Sequence, residues 1–280
     1  MATFEITGAS AADMGLIRSW AEEEGWNPGD SDRFAFVVAD PEGFLVGRRD
    51  GEPVTCVSAV RYGAGFGFIG FYIARPDVRG QGYGIQLWRA AMERLDGRLV
   101  GLDGVVAQQD NYRKSGFLPA WNNIRYEGAP QGEDDGGAEI VDAACLPFGV
   151  LAAYDRRFFP EPRDAFLSAW TGLPGRTALA AVRDGRIEGL GVVRPSSGAH
   201  RIGPLYAASP QVAAALLRRL AQHAPGGLVA LDAPDANPRA TALCEGLGLV
   251  PTFETARMYT GPAPRIALPE LFGVTSLELG

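Results

Sequence analysis

The sequence is poor in the residues that most often build metal centres and nucleophilic triads. Its 280 residues include three cysteines and two histidines. Cys56, Cys145 and Cys244 lie far apart and form no C-x-x-C pair, which predicts a reduced, cytoplasmic protein without a disulfide framework. Neither His200 nor His223 has neighbours at metal-ligand spacing. A metal site and a Ser-His-Asp triad are therefore not expected.

Long apolar runs and an excess of positive charge are also missing. No run reaches the ~18 apolar residues of a membrane-spanning helix, and the first residues lack the basic and apolar segments of a secretory signal. The net charge is −7 at pH 7, and such a chain repels a phosphate backbone. Neither a membrane nor nucleic acid is an expected partner. The charge favours a cationic substrate such as an amine, or it only keeps the protein in solution.

The first half of the chain alternates strand-like and helix-like segments, which predicts an α/β protein with a mixed sheet flanked by helices. The expected strands are 4–7, 43–48, 53–62, 66–74, 100–106 and 117–126, and the expected helices are 11–24, 84–95 and 110–115. A tight hairpin turn is predicted at Asp50-Gly51. Residues 129–137 are rich in glycine and acid, which is typical of a linker.

Short motifs of the first half recur in the same order in the second half, 129 to 134 residues later, which indicates an internal duplication. The matched pairs are Asp50-Gly51 with Asp184-Gly185, Leu102-Asp103 with Leu231-Asp232, Gly116-Phe117 with Gly248-Leu249, and Tyr126 with Tyr259. The second copy lacks about five residues before its main helix, where the first copy has its glycine loop. We therefore predict two tandem domains, 1–128 and 138–262, and a tail, 263–280, with a strand that could pair with either sheet edge.

The segment Ile73–Gly84 (IARPDVRGQGYG) has the pattern of a strand end, a glycine-rich loop and the start of a helix. Glycines let main-chain N–H groups approach a ligand, and a helix N-terminus attracts anions. Arg79 adds a positive charge, so pyrophosphate is the expected ligand. The spacing G-x-G-x-G differs from the G-x-G-x-x-G of a dinucleotide-binding loop. The Gly-Lys-Ser/Thr of a P-loop is missing. The remaining alternative is a glycine-rich turn without a ligand.

A strand followed by (Ile/Val)-x-x-P-x-x-R-G-x-G-x-G and a helix resembles the signature of the GNAT superfamily of N-acetyltransferases. The resemblance covers residues 4–128, and the whole chain resembles bacterial tandem GNAT proteins that end in a motif like GVTSLELG. It implies a sheet whose fourth strand splays from the fifth to form an acetyl-CoA cleft. The main chain of Ile73 and Ala74 would pair with the pantetheine arm. The pyrophosphate would be held by Arg79, Gly80, Gln81, Gly82, Tyr83 and Gly84.

The same resemblance implies direct attack of the acceptor in a ternary complex, without a nucleophilic residue. The acid that protonates the leaving thiolate is usually a tyrosine four residues before a Gly-Phe pair, which is Tyr112 here. The alternative for Tyr112 is a packing role. Asn111 is expected to contact the cofactor arm. The matching position of the second half is Cys244, so that half lacks both loop and acid, and we expect it to be inactive and to shape the acceptor pocket or a homodimer.

The general base is not evident, because the predicted fourth strand, 66–74, has no carboxylate where many GNATs place a glutamate. The candidates are Glu23, Asp30, Asp32, Asp103 and Asp232, each of which could be merely structural. A water chain is another possibility. N-myristoyltransferase, a tandem GNAT relative, uses its terminal carboxylate, which suggests Gly280. Trp26 lies between acids, and an aromatic ring with acids suits an organic cation, although packing explains it equally.

These patterns predict an enzyme that moves an acetyl group from acetyl-CoA to a small primary amine without a metal. One alternative is a non-catalytic acyl-CoA sensor or scaffold. Another is an acetyltransferase of protein N-termini or lysines. The amine, the acyl length, the general base and the oligomeric state are left open by the sequence.

Overall fold

The computed structural model of the chain describes residues 3–132 and 138–280. The elements of the first half are β1 (Phe4–Gly8), α1 (Ala11–Glu23), α2 (Asp32–Ala39), β2 (Phe44–Arg49), β3 (Glu52–Tyr62), β4 (Phe66–Ala74), α3 (Tyr83–Arg94), β5 (Leu99–Val105), α4 (Gln109–Lys114) and β6 (Leu118–Gly128). Those of the second half are β7 (Glu139–Asp142), α5 (Phe148–Asp155), α6 (Asp164–Gly172), β8 (Thr177–Arg183), β9 (Arg186–Arg194), β10 (His200–Ala207), α7 (Pro210–Ala221), β11 (Val229–Pro234), α8 (Pro238–Gly246), β12 (Val250–Tyr259) and β13 (Leu271–Gly273).

The strands of both halves form one mixed sheet in the order β1-β2-β3-β4-β5-β12-β6-β11-β10-β9-β8-β7, and β13 pairs with β10. The last strand of each repeated unit, β6 or β12, lies in the other half's part of this sheet. β12 pairs with β5, where Tyr259 lies opposite Gly101, and β6 pairs with β11, where Gly128 lies opposite Val229. The expected mixed sheet flanked by helices is confirmed, and the halves have exchanged strands within it.

The two halves repeat the same local structure at the matched motifs. Asp50 and Asp184 both adopt positive φ, 50° and 49°, at the first position of their hairpin turns. The carbonyl of Tyr112 accepts a hydrogen bond from Phe117 at 3.1 Å, and that of Cys244 accepts one from Leu249 at 3.0 Å. Tyr112 and Cys244 therefore occupy equivalent positions. Residues 129–132 have no regular structure, and residues 133–137 of the predicted linker lie outside the described residues.

Each half contains a pair of parallel strands that separate part-way along their length. β4 pairs with β5 from Phe66 to Ile69, and a bulge follows, at which Phe71 has a φ of 48°. β10 pairs with β11 only from His200 to Ile202. Beyond that point β13 pairs with β10 instead, so the chain's own tail fills the gap of the second half. The equivalent gap of the first half is a cleft.

Two helices, α2 and its second-half counterpart α6, are not predicted by the sequence patterns above. α2 packs on α6 of the second half, and the rings of Phe36 and Trp170 stack at a centroid distance of 5.8 Å. Both rings are almost fully buried, so these helices extend a single core across the two halves. None of the helices in the described part of the chain has the length and apolar character needed to cross a membrane.

Buried ion pairs reinforce the strand exchange. Asp232 on β11 pairs with Arg125 on β6 at 2.8 Å and with Arg201 on β10, and all three residues are at most 3% exposed. Burial alone would raise the pKa of Asp232, but the charges of Arg125 and Arg201 outweigh it and lower this pKa from about 3.8 to about 2. Asp232 is therefore a structural carboxylate that joins the two halves.

We expect Asp232→Asn to destabilise the protein by about 3–5 kcal/mol, because it leaves two buried guanidinium groups without their counter-charge. Urea denaturation measures the loss. The stabilising effect is present above the unfolded pKa and is lost as pH falls through the folded pKa of about 2, so the difference from wild type should shrink below pH ~4. Asp184→Asn is the control, because asparagine tolerates positive φ in a turn. A cost below about 1 kcal/mol would contradict this role.

Candidate active site

A cavity of about 690 Å³ fills the gap between the separated ends of β4 and β5. Its walls come from β4 and β5, from the glycine loop before α3, and from Gln108 and Tyr112 at α4. The exchanged strand β12 adds Phe253 and Thr255, and the tail adds Leu277 and Glu278. The cavity therefore needs both halves of the chain, although its loop and its two long strands belong to the first half.

The glycine loop leaves the N-terminus of α3 open for an anion. Gly80 and Gly82 have φ values of 77° and 85°, and a Cβ on either would meet open space. Within the described residues no side chain caps α3, whereas Ser209 Oγ accepts a hydrogen bond from Val212 N at the start of α7. Gly80, Gly82 and Gly84 line the cavity, so this helix N-terminus lies at its wall. This loop fits a diphosphate, which such a terminus binds through N–H groups and the helix dipole.

The side chains of the loop have protein partners. Arg79 forms an ion pair with Glu24 at the end of α1, and its Nε donates to the carbonyl of Ala74 at 2.9 Å. Gln81 donates to the carbonyl of Asp77 at 2.9 Å, and the Tyr83 ring lies 4.8 Å from Phe4. Arg79 lines the cavity and is half exposed, so it can turn toward a phosphate when the Glu24 pair opens.

The predicted pantetheine-binding positions lie on the cavity side of β4. Ile73 pairs with Cys56 and Ala74 pairs with Thr55 across β3. Pairing with β5 ends at Ile69, so the other edge of Ile73 and Ala74 faces the cavity that both residues line. An extended arm placed here would act as an additional strand.

Tyr112 packs inside the protein and also lines the cavity. Its ring packs 5.4 Å from Trp88 and lies over Gly104, where a Cβ would come within 2.8 Å of Cδ2. Its hydroxyl makes no hydrogen bond to any described residue, and the side chain lines the cavity. Burial, with a smaller contribution from Tyr72, raises the pKa of Tyr112. Asn111 is exposed and donates to Gln108 Oε1 at 2.8 Å.

The carboxylates proposed for the acceptor side lie in different surroundings. Glu23 is exposed on α1, and Asp30 pairs with Arg18 at 2.7 Å. Asp32 is 1% exposed and accepts hydrogen bonds from Gly29 N, Arg176 and Arg194. Asp32, like Asp232, has its charge compensated inside the protein, which leaves it without a free lone pair for a substrate proton.

Trp26 and Asp103 both line the cavity. Trp26 is held through its carbonyl oxygen, which accepts from Arg125 at 2.8 Å. Asp103 receives two hydrogen bonds from Arg257, at 2.8 and 2.7 Å, and one from Asn123 at 2.7 Å. Burial raises the pKa of Asp103, and Arg257 offsets part of the rise. The bidentate pairing leaves Asp103 as an anchor of β12 on β5.

Glu278 is the cavity carboxylate that the sequence reasoning missed. It is 5% exposed, and its carboxylate makes no hydrogen bond or ion pair with any described residue. A Cβ on Gly70 would overlap the Glu278 carbonyl oxygen, so the tail lies directly against the bulge of β4. The glycine within a strand was the available signal, because such a glycine often marks the close approach of another backbone.

The tail reaches the cavity by Glu278 and not by Gly280. The Gly280 carbonyl oxygen accepts from Arg163 Nη1 at 3.1 Å, and Gly280 packs against the rings of Phe159 and Phe68. The structure does not bring Gly280 to the lining of this cavity, and a buried arginine contacts its oxygen. Across residues 3–132 and 138–280, His, Cys, Asp and Glu form no group of three or more arranged to hold a metal ion.

Comparison with known proteins identifies the family of both halves of the chain. Residues 12–117 match the model of the acetyltransferase (GNAT) family, and residues 151–273 match that of an acetyltransferase (GNAT) domain. A holothin acyltransferase of Pseudoalteromonas sp. (strain SANK 73390) is 32% identical over 279 residues, which cover 99% of this chain and 95% of that protein. The chain belongs to the GNAT family. It carries two GNAT domains in tandem, and the family uses acyl-CoA as acyl donor.

Solved GNAT structures share the fold over nearly the whole chain. A putative acetyltransferase from Pyrococcus horikoshii superimposes with a TM-score of 0.84 and 23% identity, covering 99% of this chain and 96% of that one. A tandem GNAT protein from the clavulanic acid biosynthesis pathway gives a TM-score of 0.64 and 17% identity, covering 93% and 100%. At these identities the likeness concerns the fold, and it includes the arrangement of two GNAT units in one chain.

Proposed function

We propose that this GNAT protein is an N-acyltransferase that moves an acetyl group from acetyl-CoA to a small primary amine by direct attack in a ternary complex. The observation behind the proposal is the cleft between β4 and β5. It combines an uncapped helix N-terminus at one end with the free hydroxyl of Tyr112 and an unpaired carboxylate elsewhere on its wall.

Different residues of the cleft would perform the separate steps of acyl transfer. The N–H groups of Gly80–Gly84 would hold the diphosphate, and the edge of β4 at Ile73 and Ala74 would hold the pantetheine arm. Tyr112 would donate its proton to the departing thiolate. Because the pKa of Tyr112 is raised, this hydroxyl stays protonated at neutral pH and the acid remains available.

A small acceptor suits a cavity of about 690 Å³. Leu277 of the tail, Phe253 of β12 and Trp26 after α1 all line this cavity and give it apolar walls. The relative from Pseudoalteromonas is named for acyl transfer to holothin, which makes holothin the first acceptor to test. We also propose a cytoplasmic location, in keeping with the three free cysteines.

Thiol release from acetyl-CoA, measured with a library of amines that includes holothin, tests the proposal. We expect release that depends on both substrates, and an unfolding transition raised by CoA, since binding at 100 times Kd stabilises by about 2.7 kcal/mol. Longer acyl-CoAs in the same assay establish the acyl preference. Stabilisation by CoA without turnover of any amine would favour a sensor. Turnover restricted to peptide N-termini or lysines would favour a protein acetyltransferase.

A further inference from the structure

The acidic side chains that line the cleft differ in whether they have a hydrogen-bond or ion-pair partner. Glu24 pairs with Arg79, and Asp103 is held by Arg257 and Asn123. Glu278 has no such partner among the described residues, although only 5% of its surface is exposed. An unpaired buried carboxylate is costly for folding. A group that is buried, unpaired and directed into a substrate cavity is a candidate for a chemical role.

The tail that bears Glu278 is held rigidly by both halves of the protein. Arg163 donates to Thr275 Oγ1 at 2.8 Å, and Tyr62 Oη donates to the carbonyl of Leu279 at 3.1 Å. The Leu279 amide donates to Ser276 Oγ at 3.1 Å. The segment on either side of Glu278 is thereby fixed against the bulge at Gly70 and Phe71, where β4 and β5 begin to separate.

From this placement, and on the basis of the proposed function, we infer that Glu278 is the general base that accepts the proton of the attacking amine. The role that many GNATs give to a glutamate on β4 passes here to the tail, which enters over the glycine at position 70. The second half thus contributes to catalysis by directing its tail through its own closed gap into the cleft of the first half.

The step balances with the groups present. The neutral amine attacks the thioester carbonyl, the C–N bond forms, and the surplus proton of the nitrogen passes to the Glu278 carboxylate. The C–S bond then breaks, the electron pair leaves on sulfur, and the sulfur takes the proton of Tyr112. Solvent returns the proton from Glu278 to Tyr112. Both side chains end in their starting states, and the products are the amide and free CoA.

The surroundings of Glu278 suit a proton acceptor, because they raise its pKa. Burial is the largest influence and raises its pKa from the usual 4.5, and Asp32 on α2 adds to the rise. Arg201 on β10, Arg194 on β9 and Arg125 on β6 oppose it without cancelling it. Tyr112 and Asp103 face the same cavity. A raised pKa makes the carboxylate a stronger proton acceptor while it remains ionised above that pKa.

Glu278→Gln tests the inference, with Glu254→Gln on the exposed side of β12 as the matched control. We expect Glu278→Gln to lower kcat/KM at least about 10-fold on the plateau above the acidic limb of the wild-type pH profile, since water is a poorer proton acceptor. The wild-type rate should rise with pH through the raised pKa of Glu278 and then level off. This acidic limb should disappear in Glu278→Gln and persist in Glu254→Gln. The same amine is used with all three proteins, so its own ionisation affects the three pH profiles equally.

Two further measurements separate the possible outcomes. CoA affinity by calorimetry should be unchanged in Glu278→Gln, and the melting temperature should stay level or rise, because a buried unpaired charge has been removed. Equal kcat/KM and an intact acidic limb would overturn the role of Glu278. Loss of CoA affinity together with activity would also overturn it, in favour of a structural role. Absence of turnover in the wild type, with CoA still bound, would instead overturn the proposed function.

Discussion

The Gly82→Asp variant should lose most of its affinity for CoA, by about 10³-fold. The added carboxylate would stand at the N-terminus of α3, where a Cβ meets open space toward the cavity. A like charge about 4 Å from a phosphate costs roughly 4 kcal/mol at the effective dielectric of a protein surface, and each 1.4 kcal/mol corresponds to about tenfold in affinity. The aspartate would also cap the helix and occupy the N–H groups that a phosphate needs.

Calorimetric titration with CoA measures this effect. Gly97→Asp is the matched control, because Gly97 has a similar φ of 76° and open space around its Cβ, in the turn after α3. It reproduces the backbone strain and the added charge at a different place. Both variants should unfold at similar temperatures. Near wild-type affinity of Gly82→Asp would show that the loop does not hold the diphosphate.

The Tyr112→Phe variant should retain CoA binding and lose about 10²-fold in kcat, the effect of a missing general acid. The phenyl ring keeps the packing on Trp88 and Gly104, so only the hydroxyl that faces the cavity is removed. The thiolate would then leave without a proton from the protein. A loss confined to kcat distinguishes this acid from a group that binds substrate in the ground state.

Two other tyrosines provide a control and an alternative for this experiment. Tyr154→Phe removes a hydroxyl on α5, which does not line the cavity, and is expected to leave kcat unchanged. Tyr72 also lines the cavity, with its ring 5.2 Å from Trp88. If Tyr72→Phe lowered kcat and Tyr112→Phe did not, the acid would be Tyr72.

Local patterns predicted much of the fold. Strand β4 occupies the expected residues 66–74, and the expected helix at 84–95 is found at Tyr83–Arg94. The positive φ of Asp50 and Asp184 follows from their Asp-Gly turns. These features depend on a few neighbouring residues, whose conformational preferences are visible in the sequence. The family followed from the same source, since Ile73–Gly84 forms one continuous motif.

Strand pairing was not predictable in this way. β6 and β12 have similar sequences and equivalent places in the duplicated plan, so either could complete either half. Their exchange depends on contacts between distant residues, among them Arg125 with Asp232 and Arg257 with Asp103. The same contacts explain why those two carboxylates, which the sequence offered as candidate bases, are paired within the protein.

The sequence of this GNAT protein contains the glycine loop and the position of Tyr112, because each is encoded within about a dozen consecutive residues. It shows that the loop occurs once in a duplicated chain. The partners of its acids are set by the folded chain, because they are joined over separations such as the 107 residues between Arg125 and Asp232. The placement of Glu278 beside Gly70 is likewise a product of packing, in which the tail fills one gap of the sheet and enters the other.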